Sequence, residues 1–162
     1  MKPLLLPLSI LLLLVISCSG KADLSTPEKF VDSLILSINN KDTAMFNSLF
    51  LDGTDYDYLV KEVKRKDPSQ NFPVEKAMLL SSIREMSKSS YESLTSELTT
   101  ISTFQLNRFE INEDDVKSVS GITLEIQTPE NHKKQITIRR LILVDKQWKA
   151  VAEVGVEETY FN

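Results

Sequence analysis

The hydrophobic period changes about two thirds of the way along this chain of 162 residues, and this change constrains the fold more than any other feature. Before residue 100, apolar residues recur every three or four positions, which is the spacing of one face of an α-helix. From Phe104 onward, apolar and polar residues alternate, which is typical of half-buried strands. Helices followed by strands predict an α+β fold, in which the helices pack on an antiparallel sheet.

The helical part divides at its cap residues. Residues 25–28 (STPE) are typical of a helix start, with Ser25 as the expected cap. Residues 39–41 (NNK) end that helix before Asp42 caps a second short one. A weaker helical face recurs between Tyr56 and Val63. A long helix is expected after Pro73, with many serines that favour a break near residues 89–90.

Four strands are expected in the last third, at residues 104–111, 116–127, 134–144 and 148–156. The short turns between them require antiparallel neighbours. Residues 141–144 (LILV) are all apolar, which predicts a stretch covered on both faces. The predicted fold is therefore α+β, with N-terminal helices, two short and one long, packed on a curved C-terminal antiparallel sheet of about four strands.

The first 17 residues are typical of a signal peptide. Lys2 is their only charge, and residues 4–16 are almost unbroken apolar. Thirteen residues span about 20 Å as a helix, whereas the hydrocarbon core of a bilayer is roughly 30 Å thick. The segment is therefore too short for a comfortable membrane span and fits the apolar core of a signal peptide.

The end of this segment, Val15-Ile16-Ser17-Cys18, resembles the lipobox of bacterial lipoproteins. The resemblance implies cleavage before Cys18, a diacylglyceryl group on its thiol and often a further acyl chain, such as palmitate, on the new amino group. The chain would then comprise a signal peptide (1–17), a lipidated Cys with a polar spacer (18–24) and one domain (25–162). The alternatives are an ordinary secretory signal cut near Ser19 or Gly20, and a signal anchor.

A lipoprotein would be held by its N-terminal acyl chains on a membrane of the bacterial cell envelope, outside the cytoplasm. Ser19 follows the Cys, where the inner-membrane lipoproteins of enterobacteria-like cells carry Asp. This favours the outer membrane over the inner one. The inner membrane remains an alternative, because sorting rules differ among bacteria.

Composition argues against several functions. A net charge of −4 and a pI near 5.1 argue against a nucleic-acid partner. One Cys and one His exclude an internal disulfide and Cys-rich or His-cluster metal sites. The single His132 falls at a predicted hairpin tip, and residues 52–57 (DGTDYD) lack the spacing of a calcium loop. We therefore predict no catalytic residues, no cofactor and no metal.

Three segments together resemble the nuclear transport factor 2-like superfamily: residues 26–31 (TPEKFV), 40–42 (NKD) and 144–149 (VDKQWK). The resemblance covers most of residues 25–156 and implies a cone, in which a curved sheet wraps the long helix and leaves a pocket at its wide end. Relatives use this pocket in isomerases, dehydratases and ligand-binding proteins. The chain departs from the pattern at residues 146–147, where relatives often place Gly, and in lacking an evident strand before the long helix.

Three residues are candidates for a pocket or an interface. Arg139 and Arg140 fall mid-strand and are expected to point to opposite faces, so one must meet a pocket, an interface or a carboxylate, since an unpaired buried charge is costly. Trp148 is the third candidate. The leading hypothesis is a lipid-anchored extracytoplasmic binding or interaction module without catalysis, whose ligand is unidentified and whose sheet face pairs with a protein partner or a second copy. The alternatives are an isomerase or dehydratase using the cone pocket, and a structural envelope protein.

Overall fold

The structure, a computed structural model, describes residues 22–98, 100–106, 110–112, 116–129 and 133–157. Helices precede strands, which confirms the predicted α+β class. The helices are α1 (Pro27–Asn39), α2 (Thr43–Ser48), α3 (Gly53–Lys66) and α4 (Lys76–Glu97). The strands are β1 (Thr103–Leu106), β2 (Glu110–Asn112), β3 (Ser118–Gln127), β4 (Lys133–Val144), β5 (Gln147–Ala150) and β6 (Val154–Glu157).

The sheet is antiparallel and four strand positions wide. Both β1 and β2 pair with one edge of β3, the other edge of β3 pairs with β4, and both β5 and β6 pair with the free edge of β4. The four predicted strands thus occupy the expected positions, but the first and the last each comprise two segments.

Two helices differ in detail from the prediction. The cap of α1 is Thr26, whose hydroxyl accepts from the Lys29 N–H at 3.2 Å, while Ser25 bonds to Asp23. The weak pattern between Tyr56 and Val63 belongs to a full helix, α3, so the described residues form four helices and not the three predicted. Asp42 caps α2 as predicted, accepting from the Met45 N–H at 2.9 Å.

The long helix α4 continues through its serines because two of them are buried and bonded. The Ser87 hydroxyl donates to Oδ1 of Asn47 at 2.7 Å, and the Ser90 hydroxyl accepts from the Val154 N–H at 3.1 Å. Tertiary hydrogen bonds therefore outweigh the low helix propensity that favoured a break.

The inner face of the sheet is filled by helix side chains. Phe30 and Leu34 of α1 and Ile122 and Ile138 of the sheet are fully buried in one core cluster. A second cluster joins α3 to the opposite face of the end of β4. It comprises Leu51, Tyr56, Leu59, Ile142 and Val144. Residues 141–144 are thus covered on both faces, as their composition predicts.

The sheet is kinked across its middle. Between the pairs Ile138–Val154 and Leu141–Ala150, two residues of β4 face three residues, 151–153, which is a β-bulge. On the neighbouring strand, Gly121 has a φ of +67°, a left-handed value that costs glycine little. The kink changes which alternate residues of β4 face the main core, from 136 and 138 to 141 and 143.

The outer edge of β5 is covered by two segments of backbone. The Trp148 N–H donates to the Leu24 carbonyl at 2.7 Å. The Ala150 N–H donates to the Leu49 carbonyl at 2.9 Å, and the Ala150 carbonyl accepts from the Leu51 N–H at 3.1 Å. Leu24 is itself buried and Ala22 packs against the core, so residues 22–24 are docked on the domain.

The docked N-terminal segment is expected to loosen in acid. Hydrogen bonds from Lys29 and Ser25 lower the pKa of Asp23 from 3.8 to about 2. A depressed folded-state pKa gives a contribution to stability that is present above 3.8 and lost as the pH falls through about 2. Amide exchange at residues 22–26, corrected for its intrinsic pH dependence, should therefore accelerate below pH 3.8 before the domain unfolds. The control variant Ser69→Ala should show the same acceleration. Corrected exchange that does not change as Asp23 is protonated would contradict the assignment.

No helix within the described ranges is long and apolar enough to cross a membrane.

Candidate functional site

A cavity of about 320 Å³ opens between α2, the start of α3 and α4. One stripe of α4 supplies a wall, because Leu80, Ile83, Arg84 and Ser87 recur at helical spacing. Apolar surface comes mainly from the partly exposed Leu80, because the neighbouring Phe50 and Ile83 are almost fully buried. The volume falls at the small end of the range for ligand pockets, roughly 300–1,000 Å³.

The polar groups of this cavity retain hydrogen-bonding capacity. The Asn47 carboxamide oxygen accepts from Ser87, while its amino group bonds to no described residue. Arg84 is exposed and forms no ion pair within the described part of the chain. Asp52 uses Oδ1 to accept from the N–H groups of Thr54 and Asp55, at 2.7 and 2.9 Å, which leaves Oδ2 unpartnered among the described residues. A cation, two N–H donors and a carboxylate oxygen are therefore available at one cavity.

A buried ion pair lies on the far side of the α3 N-terminus. Nζ of Lys149 donates to the Ser48 carbonyl at 2.8 Å and lies 3.6 Å from Oδ2 of Asp55. The two side chains are only 9% and 14% exposed. The same Asp55 oxygen accepts from the Asp52 N–H at 3.0 Å, completing a capping box. Lys149 thus ties strand β5 to the end of α2 and the start of α3.

Burial raises the pKa of the Asp55 carboxyl, while its bond to the Asp52 N–H and the charge of Lys149 oppose that rise. Both members of the pair are engaged with backbone groups that fix helix ends. The arrangement therefore acts as a structural clamp and offers no free acid–base group to the cavity.

The structure does not bring the three residues predicted for a pocket or an interface into one site. Arg139 and Arg140 are both exposed, because the kink removes the alternation that would bury one of them. Arg139 lies 3.6 Å from Glu153, in a surface ion pair. Trp148 is 4% exposed and belongs to the main core cluster. Cys18 and His132 lie outside the described residues.

The outer sheet face is polar along β3. Thr123, Glu125 and Gln127 alternate with the buried residues of β3 as predicted, and Glu125 pairs with Lys133 at 2.8 Å. The large hydrophobic residues exposed in the described ranges are Leu36, Met78 and Phe104. Docking of a partner on this face would therefore rest on hydrogen bonds and charges.

No protein-family model, curated protein or solved structure matches this chain. The resemblances to lipoproteins and to the nuclear transport factor 2-like superfamily therefore stay predictions.

No cluster of three or more His, Cys, Asp or Glu side chains suited to a metal ion occurs within the described residues. At residues 52–57, the two carboxylates of Asp52 and Asp55 cap α3. Asp57 instead pairs with Lys76 at 2.6 Å.

The sequence reasoning missed Arg84, Asn47 and Lys149. Arg84 and Asn47 belong to different helices, and their proximity depends on how those helices pack. Lys149 shares its face of β5 with the polar Gln147, so no local pattern marks it as buried.

Proposed function

We propose that this chain is a bacterial lipoprotein whose single α+β domain binds a small molecule outside the cytoplasm, while acyl chains on Cys18 hold it at a membrane. The lipobox-like residues 15–18 motivate the anchor. The open polar cavity between α2, α3 and α4 motivates the binding role.

The observation that carries the proposal is the docking of residues 22–24 directly after the lipobox. Three residues separate Cys18 from Ala22, which packs against the core. A chain reaches at most about 3.5 Å per residue, so Ala22 lies within about 14 Å of the Cys18 Cα. Such a short tether keeps the domain next to its anchor, and two or more acyl chains make the attachment stable.

The binding role is supported by how the interior is used. Fully buried side chains fill the inner sheet face, where the resemblance would place a cone pocket. The cavity lies instead among the helices, with unpaired hydrogen-bonding groups at its wall. Reversible binding needs only such groups and apolar surface.

Replacing Cys18 by alanine is expected to abolish acylation and leave unprocessed precursor, because the thiol is the lipid acceptor. Mass spectrometry of the N-terminus and membrane fractionation measure both effects. Ser19→Ala is the matched control and should mature normally. Normal maturation of the Cys18→Ala protein would refute the anchor.

A further inference from the structure

We propose that the cavity between α2, α3 and α4 binds a free α-amino acid with an apolar side chain. This inference rests on the proposed role as a binding module and names its ligand class. It uses the unpaired polar groups of Arg84, Asn47 and Asp52, together with the partly exposed apolar side chain of Leu80.

The charges at the cavity match a zwitterion. Arg84 and the Asn47 amino group are donors, and a ligand carboxylate satisfies both. Asp52 offers Oδ2, which accepts from an ammonium group. Among the described residues, neither Arg84 nor Asp52 forms an ion pair, so both charges stay available to a ligand.

The apolar surface and the volume of the cavity indicate which ligand side chain fits. Leu80, which is partly exposed, offers apolar surface to a branched aliphatic group, whose transfer out of water is favourable. A cavity of about 320 Å³ suits a metabolite and is too small for a folded partner.

Calorimetric titration of the full chain in detergent micelles tests this assignment with three probes. L-Leucine carries both charges and the apolar group, 4-methylpentanoate lacks the ammonium, and 3-methylbutylamine lacks the carboxylate. We expect L-leucine to bind at least about tenfold more tightly than either analogue, since a lost charge-assisted hydrogen bond weakens binding by this order. Absence of heat with L-leucine up to millimolar concentration, or equal binding of all three probes, would overturn the proposal.

Two variants test which protein residue binds each charged group of L-leucine. Arg84→Gln should weaken L-leucine binding at least about tenfold, whereas Arg139→Gln, on the outer sheet face, should not change it. Asp52→Asn keeps a good helix cap and should weaken L-leucine while sparing 4-methylpentanoate. Unchanged binding in Arg84→Gln, with folding verified by Trp148 fluorescence, would contradict the site.

Failure of this inference is distinguishable from failure of the anchor. Acylation of Cys18 is measured independently of ligand binding. If L-leucine does not bind while Cys18 is acylated, the ligand class is wrong and the tether stands. If L-leucine binds a chain that carries no lipid, the cavity assignment stands and the tether is wrong.

Discussion

The Phe46→Ala protein is expected to lose about 4 kcal/mol of unfolding free energy, a large fraction of the roughly 5–15 kcal/mol that stabilises a typical domain. Phe46 is fully buried in the main core cluster. Its ring centroid lies 5.5 Å from that of Phe50 and 5.1 Å from that of Tyr91. Alanine would remove these contacts and leave a cavity between α2 and α4 that packed neighbours fill only in part.

Denaturant titration followed by fluorescence measures this loss, because Trp148 is the only tryptophan. Phe104→Ala is the matched control, since Phe104 is 38% exposed on β1 and its replacement should cost about 1 kcal/mol or less. Equal effects at the two positions would contradict the packing of α2 against α4.

The second large effect is expected at Lys149. Lys149→Met keeps most of the side-chain volume but leaves the Asp55 carboxylate and the Ser48 carbonyl without their partner. Removing one member of a buried pair is strongly destabilising, and we expect a loss of about 2 to 3 kcal/mol because this pair retains some exposure. Lys133→Met breaks an exposed pair with Glu125 and should change stability by less than about 1 kcal/mol.

The pH dependence of Lys149→Met provides an independent test. Burial already raises the pKa of Asp55, and loss of the lysine charge raises it further. A raised folded-state pKa means stability that is complete below the unfolded value and declines as the pH rises through the folded value. The variant should therefore regain stability in mild acid relative to the parent, and adding Asp55→Asn should remove that gain. An unaltered stability of Lys149→Met at neutral pH would show that the pair does not clamp the helices.

Local patterns predicted the elements better than their connections. The alternation in β3, the Asp42 cap and the turn at residues 145–146 depend on neighbouring residues, and the structure confirms each. The turn residues Asp145 and Lys146 both have positive φ, the geometry of a tight hairpin turn. Sequence periodicity therefore specified the α+β class.

Long-range contacts explain what local patterns missed. The exposure of Arg140 depends on a bulge between β5 and β6, and no feature of residues 139–140 announces an extra residue on the facing strand. The continuity of α4 depends on Ser90 meeting the Val154 N–H, 64 positions away. The cavity likewise combines Asn47 and Arg84 from separate helices. Such pairings become visible only after the chain is folded.

If Cys18 carries the proposed lipid anchor, the way residues 22–24 cover the edge of β5 limits where proteolysis can release the domain. A cut between Cys18 and Ala22 would free the domain with its sheet border sealed. A cut a few residues later would strip away Leu24 and expose the Trp148 N–H on an open strand, a surface prone to pairing with other chains. Under this proposal, cleavage sites only a few residues apart would give either a released domain with a covered sheet edge or a domain prone to self-association.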